Sequence, residues 1–360
     1  MAAEERYDYP AELDAKITQL ATLITNSNHF IVFTVAGIST SAGIADFRGP
    51  TGVWTLRAQG RSDQIQSVNT LNALPTPTHM ALVALQNQNI MKHLRHRISE
   101  LHGNSNRETC AKGCGREYLR DFRAVATYEK TVHDHRTGRK CAVCEGNLYD
   151  TIINFGEFLP EKPLADARTH AAKADLCVVL GSSLTVPPAC TVPEITAKRR
   201  FGKGKMVIVN LQETPLDEMV GLRIWARVDE VMGKVMQRLR VEVPRFVLRR
   251  RLAVEVESQD EERHAVTLKG VDVDGTPVTF IQSVKMAGSR RAMKTGPFTI
   301  NLRRKMEAGD VIEAEVEFMG HYGEPNLIIK NVYGRETGYL LEYDPSTGQW
   351  DVQPGEVIAQ

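Results

Sequence analysis

Two close pairs of cysteines, Cys110-Ala-Lys-Gly-Cys114 and Cys141-Ala-Val-Cys144, are the clearest chemical signal in this 360-residue chain. The spacings are C-x₃-C and C-x₂-C, both within the range by which four thiolates close around one tetrahedral zinc ion. The expectation is a structural zinc site on Cys110, Cys114, Cys141 and Cys144; the competing reading is four free thiols in a loop module. The stretch between the pairs is basic and His-rich, with His133, His135, Arg136, Arg139 and Lys140. A second signal is the run of small residues Ala36-Gly-Ile-Ser-Thr-Ser-Ala-Gly43, followed by Ile44-Ala-Asp-Phe-Arg-Gly-Pro50. Small residues after a strand let backbone N–H groups approach a phosphate, although such a loop can equally be a tight turn. Third, His102 in Glu-Leu-His-Gly-Asn is one of ten histidines. Alone it is unremarkable, but an imidazole that titrates near neutrality suits a general base.

The elements that must position these groups follow from hydrophobic period. Leu13, Ile17, Leu20, Leu23 and Ile24 mark an amphipathic helix over 11–27. Three short apolar runs, Phe30–Ala36, Asp175–Gly181 and Lys205–Leu211, read as buried strands of a parallel sheet. Each exits into small or polar residues, so the loop after the first run and Gly181-Ser-Ser183 would meet at one sheet edge. Taken alone, Gly181-Ser-Ser could be an ordinary strand-end turn. A closing helix covers 229–240. This alternation predicts a Rossmann-like, doubly wound α/β fold with the cysteine module (about 105–148) inserted. Near Pro244 the period changes to two: Ile312, Ala314, Val316 and Phe318 alternate with Glu313, Glu315 and Glu317. About seven strands with turn signals at Asp274-Gly275, Gly323-Glu-Pro325 and Asp344–Gly348 predict an antiparallel β-sandwich or barrel. The expected domains are 1–244 and 245–360.

Composition bounds the reading. Hydrophobic residues at 42% and charged residues at 25% are ordinary for a globular protein, and the net charge of +1 neither favours nor excludes nucleic acid. No run of 18 apolar residues exists, and the acidic Met-Ala-Ala-Glu-Glu-Arg start lacks an apolar core, so neither a membrane span nor a signal peptide is expected. An intracellular protein is inferred. Cys177 and Cys190 read as small buried hydrophobes, and His264 and His321 as surface or turn residues. The basic segments Arg245/Arg249/Arg250/Arg251 and Arg290/Arg291/Lys294 could contact phosphates, or simply form a solvated face.

The loop through Asp46-Phe-Arg-Gly-Pro-Thr-Gly-Val-Trp54 resembles the cofactor loop of the sirtuins. Further sirtuin-like motifs follow in order: Glu100–Asn104, Asn154-Phe-Gly-Glu157, Gly181–Leu184 and Ile208–Gln212. The resemblance covers roughly residues 10–243, and its wording is most similar to the nuclear class IV branch, the sixth and seventh mammalian types. It implies NAD and zinc as cofactors, and transfer of an acyl group from protein lysine to ADP-ribose with release of nicotinamide. Ala36, Gly37 and Ser39 would then line the diphosphate, with Asp46 in the same cofactor-binding set. Phe47 and Arg48 would border the nicotinamide side. Gly181, Ser182 and Ser183 would hold phosphate and ribose. Asn210 and Leu211 would meet the adenosine ribose, and Val228 the adenine. His102 would take a proton from a hydroxyl of the nicotinamide ribose after the acyl-lysine oxygen attacks C1′. Ile153, Phe155 and Gly156 would form the acyl-lysine channel. The implied partners are acylated-lysine proteins such as histones, in the nucleus.

Three departures stand against this pattern. Val35 replaces a glycine, and a β-branched residue resists positive φ and adds bulk near the phosphate. Ala45 replaces a proline. Between Thr78 and His102 the family's strand and Gln-Asn-x-Asp-Gly-Leu-His motif are not complete. Either Ile90–Leu94 leads into a strand whose continuation is deleted, or Gln88-Asn89-Ile90 is a remnant of the motif itself. Both alignments lose the aspartate. The alternative function is therefore a catalytically impaired module that binds NAD or ADP-ribose, or a zinc-dependent interaction module.

Overall fold

A computed structural model of the chain describes residues 4–65, 70–91, 98–120, 123–126, 131, 133–199, 203–271, 277–334 and 337–355. The chain divides into two compact units, Met1–Gly103 with Ile152–Arg245, and Asn104–Thr151 with Phe246–Gln360. In chain order the elements are helix α1 (Pro10–Asn26), strand β1 (Phe30–Thr34), and helices α2 (Val53–Ala58) and α3 (Pro77–Asn87). The cysteine module then supplies β2 (Arg107–Thr109), β3 (Glu117–Leu119), β4 (Arg136–Lys140) and β5 (Asn147–Asp150). Helix α4 (Glu161–Lys173), β6 (Leu176–Leu180), α5 (Thr191–Ala197), β7 (Lys205–Val209), β8 (Leu222–Ile224) and α6 (Val228–Leu239) complete the first unit.

The first unit is built on a parallel sheet ordered β1-β6-β7-β8. Alternation along its strands sends side chains to two separate cores, as a pleated strand requires. Phe30, Leu176, Val178, Leu180, Val207 and Val209 pack with α1, α3 and α6. Ile31, Cys177, Val179, Met206 and Ile208 pack on the other face with residues of α4 and α5. The sheet is therefore doubly wound, and the three apolar runs are its β1, β6 and β7. Asp175 fastens the start of β6 to the α1–β1 turn: it accepts hydrogen bonds from the Ser27 hydroxyl and from the N–H groups of Asn28 and His29.

Among the described residues β1 is an outer strand, paired on one side only, and no strand lies between α3 and His102. The run Ile90–Leu94 passes outside the described residues after Met91, as does the turn expected at Asp274-Gly275. Gln88 and Asn89 sit in the turn that ends α3, and Met91 enters the core against it.

In the second unit the described residues of the C-terminal segment form nine strands: β9 (Leu248–Ser258), β10 (Arg263–Val271), β11 (Pro277–Val278), β12 (Ile281–Met286), β13 (Phe298–Arg303), β14 (Val311–Phe318), β15 (Leu327–Val332), β16 (Thr337–Asp344) and β17 (Gln349–Gly355). One antiparallel sheet runs β11-β10-β9-β16-β17 with β13 on β10, and the other runs β12-β14-β15. Leu252, Leu268 and Leu341 from the first sheet and Val284, Val316 and Ile329 from the second share one apolar core. This is sandwich packing of two inner faces.

Two expectations for this segment are corrected. His264 is not a surface residue. It is 2% exposed on β10, with Nδ1 2.8 Å from the Ser258 hydroxyl and Nε2 3.1 Å from the Glu261 carbonyl. Period-two burial put it inside, and local polar partners made that burial tolerable. Arg250 likewise does not belong to a solvated basic face. It is buried at 8% exposure, its guanidinium 5.5 Å from the Phe280 ring centre, whereas Arg249 points outward and pairs with Glu342 at 2.6 Å.

Candidate functional site

At the carboxyl ends of β1, β6 and β7 two cavities, of about 420 and 660 Å³, share Asp46, Asn210 and Gln212 in their walls. This is the edge of a parallel sheet where such folds hold ligands. The loop after β1 makes two successive 3-10 turns and reverses at Gly43, whose φ is +82°. Its backbone is pressed against the turn after β6. A Cβ on Gly37 would lie 2.3 Å from the Gly181 carbonyl oxygen, and Gly181 itself has φ +61°. Glycine is thus required at both positions by close approach, and at Gly181 by conformation as well.

Side chains behind the loop fix it. The Thr76 hydroxyl caps α3 in a capping box with His79 and donates to the Ile38 carbonyl at 2.9 Å. Asp229, in the first turn of α6, accepts from the Thr78 N–H at 3.0 Å and from the Thr78 and Ser41 hydroxyls. Downstream, the Gly49 N–H donates to the Asp46 carboxylate at 3.1 Å. Burial raises the pKa of that carboxyl above its ordinary value. Val35 has φ −140°, ordinary extended backbone, so the strain feared from a β-branched residue is absent; its side chain contributes to the smaller cavity instead.

The smaller cavity gathers Ala36, Phe47, Arg48, His102, Ile153, Phe155, Gly156, Ser182 and Ser183. The Ile153 N–H donates to the His102 carbonyl at 3.1 Å, which joins the histidine segment to the expected acyl channel. Burial lowers the His102 pKa below its ordinary value, which favours the neutral ring. The Arg48 guanidinium lies 4.4 Å from the Trp54 ring centre, and Phe47, Trp54 and Phe155 form an aromatic cluster with Phe155 67% exposed. The larger cavity takes Gly37, Gly181, Leu211 and Val228. Of the expected cofactor residues, Ser39 alone borders neither cavity. Among the described residues, none between Gln64 and His102 reaches either one.

Several participants were not assigned roles from sequence. Trp54 was visible only as a motif letter. Asp229 is an ordinary first-turn acid until α3 is seen beside it. Glu5 and Tyr7 border the larger cavity from a segment with no sequence signal. Cys177 is fully buried and its thiol is pushed up to about 12. Cys190 is only half-buried and lines the smaller cavity.

The four cysteine sulfurs of the module lie within 4.8 Å of one another, with Cys110–Cys144 at 3.4 Å and Cys114–Cys141 at 3.5 Å. Four thiolates at ordinary zinc–sulfur distances stand about 3.8 Å apart, so the set fits one tetrahedral ion. The longer first spacing is absorbed at Gly113, where a Cβ would lie 2.6 Å from the Cys110 sulfur. The Tyr118 hydroxyl, 3.1 Å from Cys141, helps bring that thiol down to about 6. Such an outer partner supports a thiolate ligand.

A family model described as the Sir2 family matches residues 63–188. The chain is 40% identical to the NAD-dependent protein deacetylase SRT1 of Arabidopsis thaliana over 79% of this chain and 63% of that protein. It is 40% identical to NAD-dependent protein deacetylase sirtuin-7 of Bos taurus over 68% of this chain and 64% of that protein. The NAD-dependent protein deacetylase Sirt6 of Drosophila melanogaster is 36% identical over 68% of this chain and 82% of its own length. The chain thus spans under two thirds of the length of the first two relatives.

Proposed function

The chain belongs to the Sir2 family, and from that premise we propose that it removes acyl groups from protein lysine, transferring them to ADP-ribose derived from NAD with release of nicotinamide. The observation that carries this reading is the convergence of His102, Arg48 and the Ile153–Gly156 segment in one cavity whose wall continues into the Gly37/Gly181 cradle. The larger cavity would hold the adenosine half of NAD, with Asn210 and Leu211 at the ribose and Val228 at the adenine. The smaller one would hold the nicotinamide ribose and the acyl-lysine. When bound, NAD supplies the carbon that the acyl oxygen attacks. His102 would accept the proton of a ribose hydroxyl, and the aromatic cluster would exclude water around the exchange. The module's four cysteines would hold zinc as a structural ion, remote in role from the chemistry.

The resemblance to the nuclear class IV branch supports acylated histone tails as substrates and residence in the nucleus. The exposed Arg290, Arg291 and Lys294 would add salt-sensitive contacts to chromatin phosphates. Among the described residues no helix is long and apolar enough to cross a membrane.

The test is His102→Ala measured two ways. The variant should keep its thermal stabilisation by ADP-ribose and lose formation of deacylated peptide by a factor of about 10²–10⁴. Retained turnover would overturn the assignment. Stabilisation without turnover in the unaltered protein would instead select the binding module.

A further inference from the structure

Arg223 on β8 sits behind the wall that the two cavities share, and no sequence motif marked it. Its side chain is 11% exposed. Nη1 donates to the carbonyls of Ile208, Asn210 and Ile224 at 3.3, 2.9 and 2.9 Å. Nη2 donates to the Gln212 carbonyl at 2.7 Å, and Nε donates to Asp217 at 3.1 Å. One face of the guanidinium covers Trp225, 3.5 Å from the ring centre. The loop Asn210–Gln212 leaves β7 without continuing the sheet, so its carbonyls need donors elsewhere. A planar fork of five N–H groups meets that need; a lysine, with one compact ammonium, cannot span acceptors on two strands.

We infer that Arg223 is a positioning residue for nucleotide binding: it locks the backbone of Asn210–Gln212 so that these residues present one preformed wall to both cavities. The inference rests on the nucleotide reading of those cavities. The same loop is held from its outer side, where the Arg6 N–H donates to the Leu211 carbonyl at 2.8 Å and the Arg6 guanidinium stands 5.3 Å from Trp225. Arg223 lines neither cavity, so its loss reaches them through the backbone it holds. A preformed loop binds with less ordering cost.

The experiment is calorimetric titration of ADP-ribose into the zinc-loaded full chain, its Arg223→Lys and Arg223→Met variants, and Asp217→Asn, which removes the negative charge that aims the fork and that also accepts from the Thr214 N–H and hydroxyl. Each protein's unliganded melting temperature is recorded alongside. The expected result is a tenfold or greater loss of ADP-ribose affinity in Arg223→Met. Arg223→Lys and Asp217→Asn should fall between it and the unaltered protein. The KM for acylated peptide should be unchanged at saturating NAD. Equal ADP-ribose affinity in all four proteins would overturn the positioning role while leaving the nucleotide reading intact. Failure of the unaltered protein to bind ADP-ribose would overturn both. If Arg223→Met does not fold, Asp217→Asn decides: unchanged affinity there overturns the inference.

Discussion

His102 can act as a base only in its neutral form, and burial keeps it neutral to lower pH than a free imidazole. The sign fixes a pH prediction. As pH falls, kcat/KM should hold until the ring protonates, so the midpoint of the acid limb should lie below 6.5. A midpoint above 6.5 in the kcat/KM profile would remove His102 from the role. The Gly37–Gly181 contact yields a second prediction at this scale. Gly37→Ala places a methyl against a carbonyl 2.3 Å away. It should cost about 1–3 kcal/mol in urea unfolding and weaken ADP-ribose binding together; an unperturbed variant would contradict the packing. The resemblance to the sirtuin motifs singled out His102, Gly37, Arg48 and Ser182 from the sequence, and all four line the cavities. Trp54 and Asp229 were not singled out, since each earns its place from a partner distant in sequence, Phe155 and Thr78 respectively.

At the scale of elements, β1, β6 and β7 were readable because each is a continuous apolar run, fully buried in β6 and in β7 after Lys205 and part-buried over the last three residues of β1. Strand β8 was not, being only Leu222–Ile224 with the charged Arg223 in its middle. Period two puts Arg250 in register with Leu248 and Leu252, and His264 in register with Val266 and Leu268; their polarity alone argued for the surface. The joint between α1, β1 and β6 makes a linkage prediction. Burial disfavours the charged Asp175 carboxyl, but hydrogen bonds from Ser27, Asn28 and His29 outweigh it and hold its pKa below the usual carboxylate value. A depressed folded-state pKa means that the stabilisation is present above the unfolded value and lost as pH falls through the folded one. Asp175→Asn should therefore cost on the order of 1 kcal/mol at pH 7, measured by urea unfolding. That difference should shrink below about pH 4. A difference independent of pH would place the effect elsewhere.

On the scale of the whole chain, the interval between Thr78 and His102 reads as the deepest departure from the family's motif order. Among the described residues β1 is an outer strand, and nothing between Gln64 and His102 lines the cavities. The zinc module has its own test. Purified protein should carry one zinc per chain by elemental analysis, and Cys141→Ser should lose it together with the module's fold. A zinc-free protein with unchanged melting would refute the structural ion. Whether the shortened chain still closes a working site is decided most directly by nicotinamide release from the zinc-loaded protein. NAD and an acetylated histone-tail peptide are supplied separately and together. The account predicts release that needs both substrates, with formation of deacylated peptide lost in His102→Ala. Folded, zinc-bound protein that releases no nicotinamide with both present would contradict it.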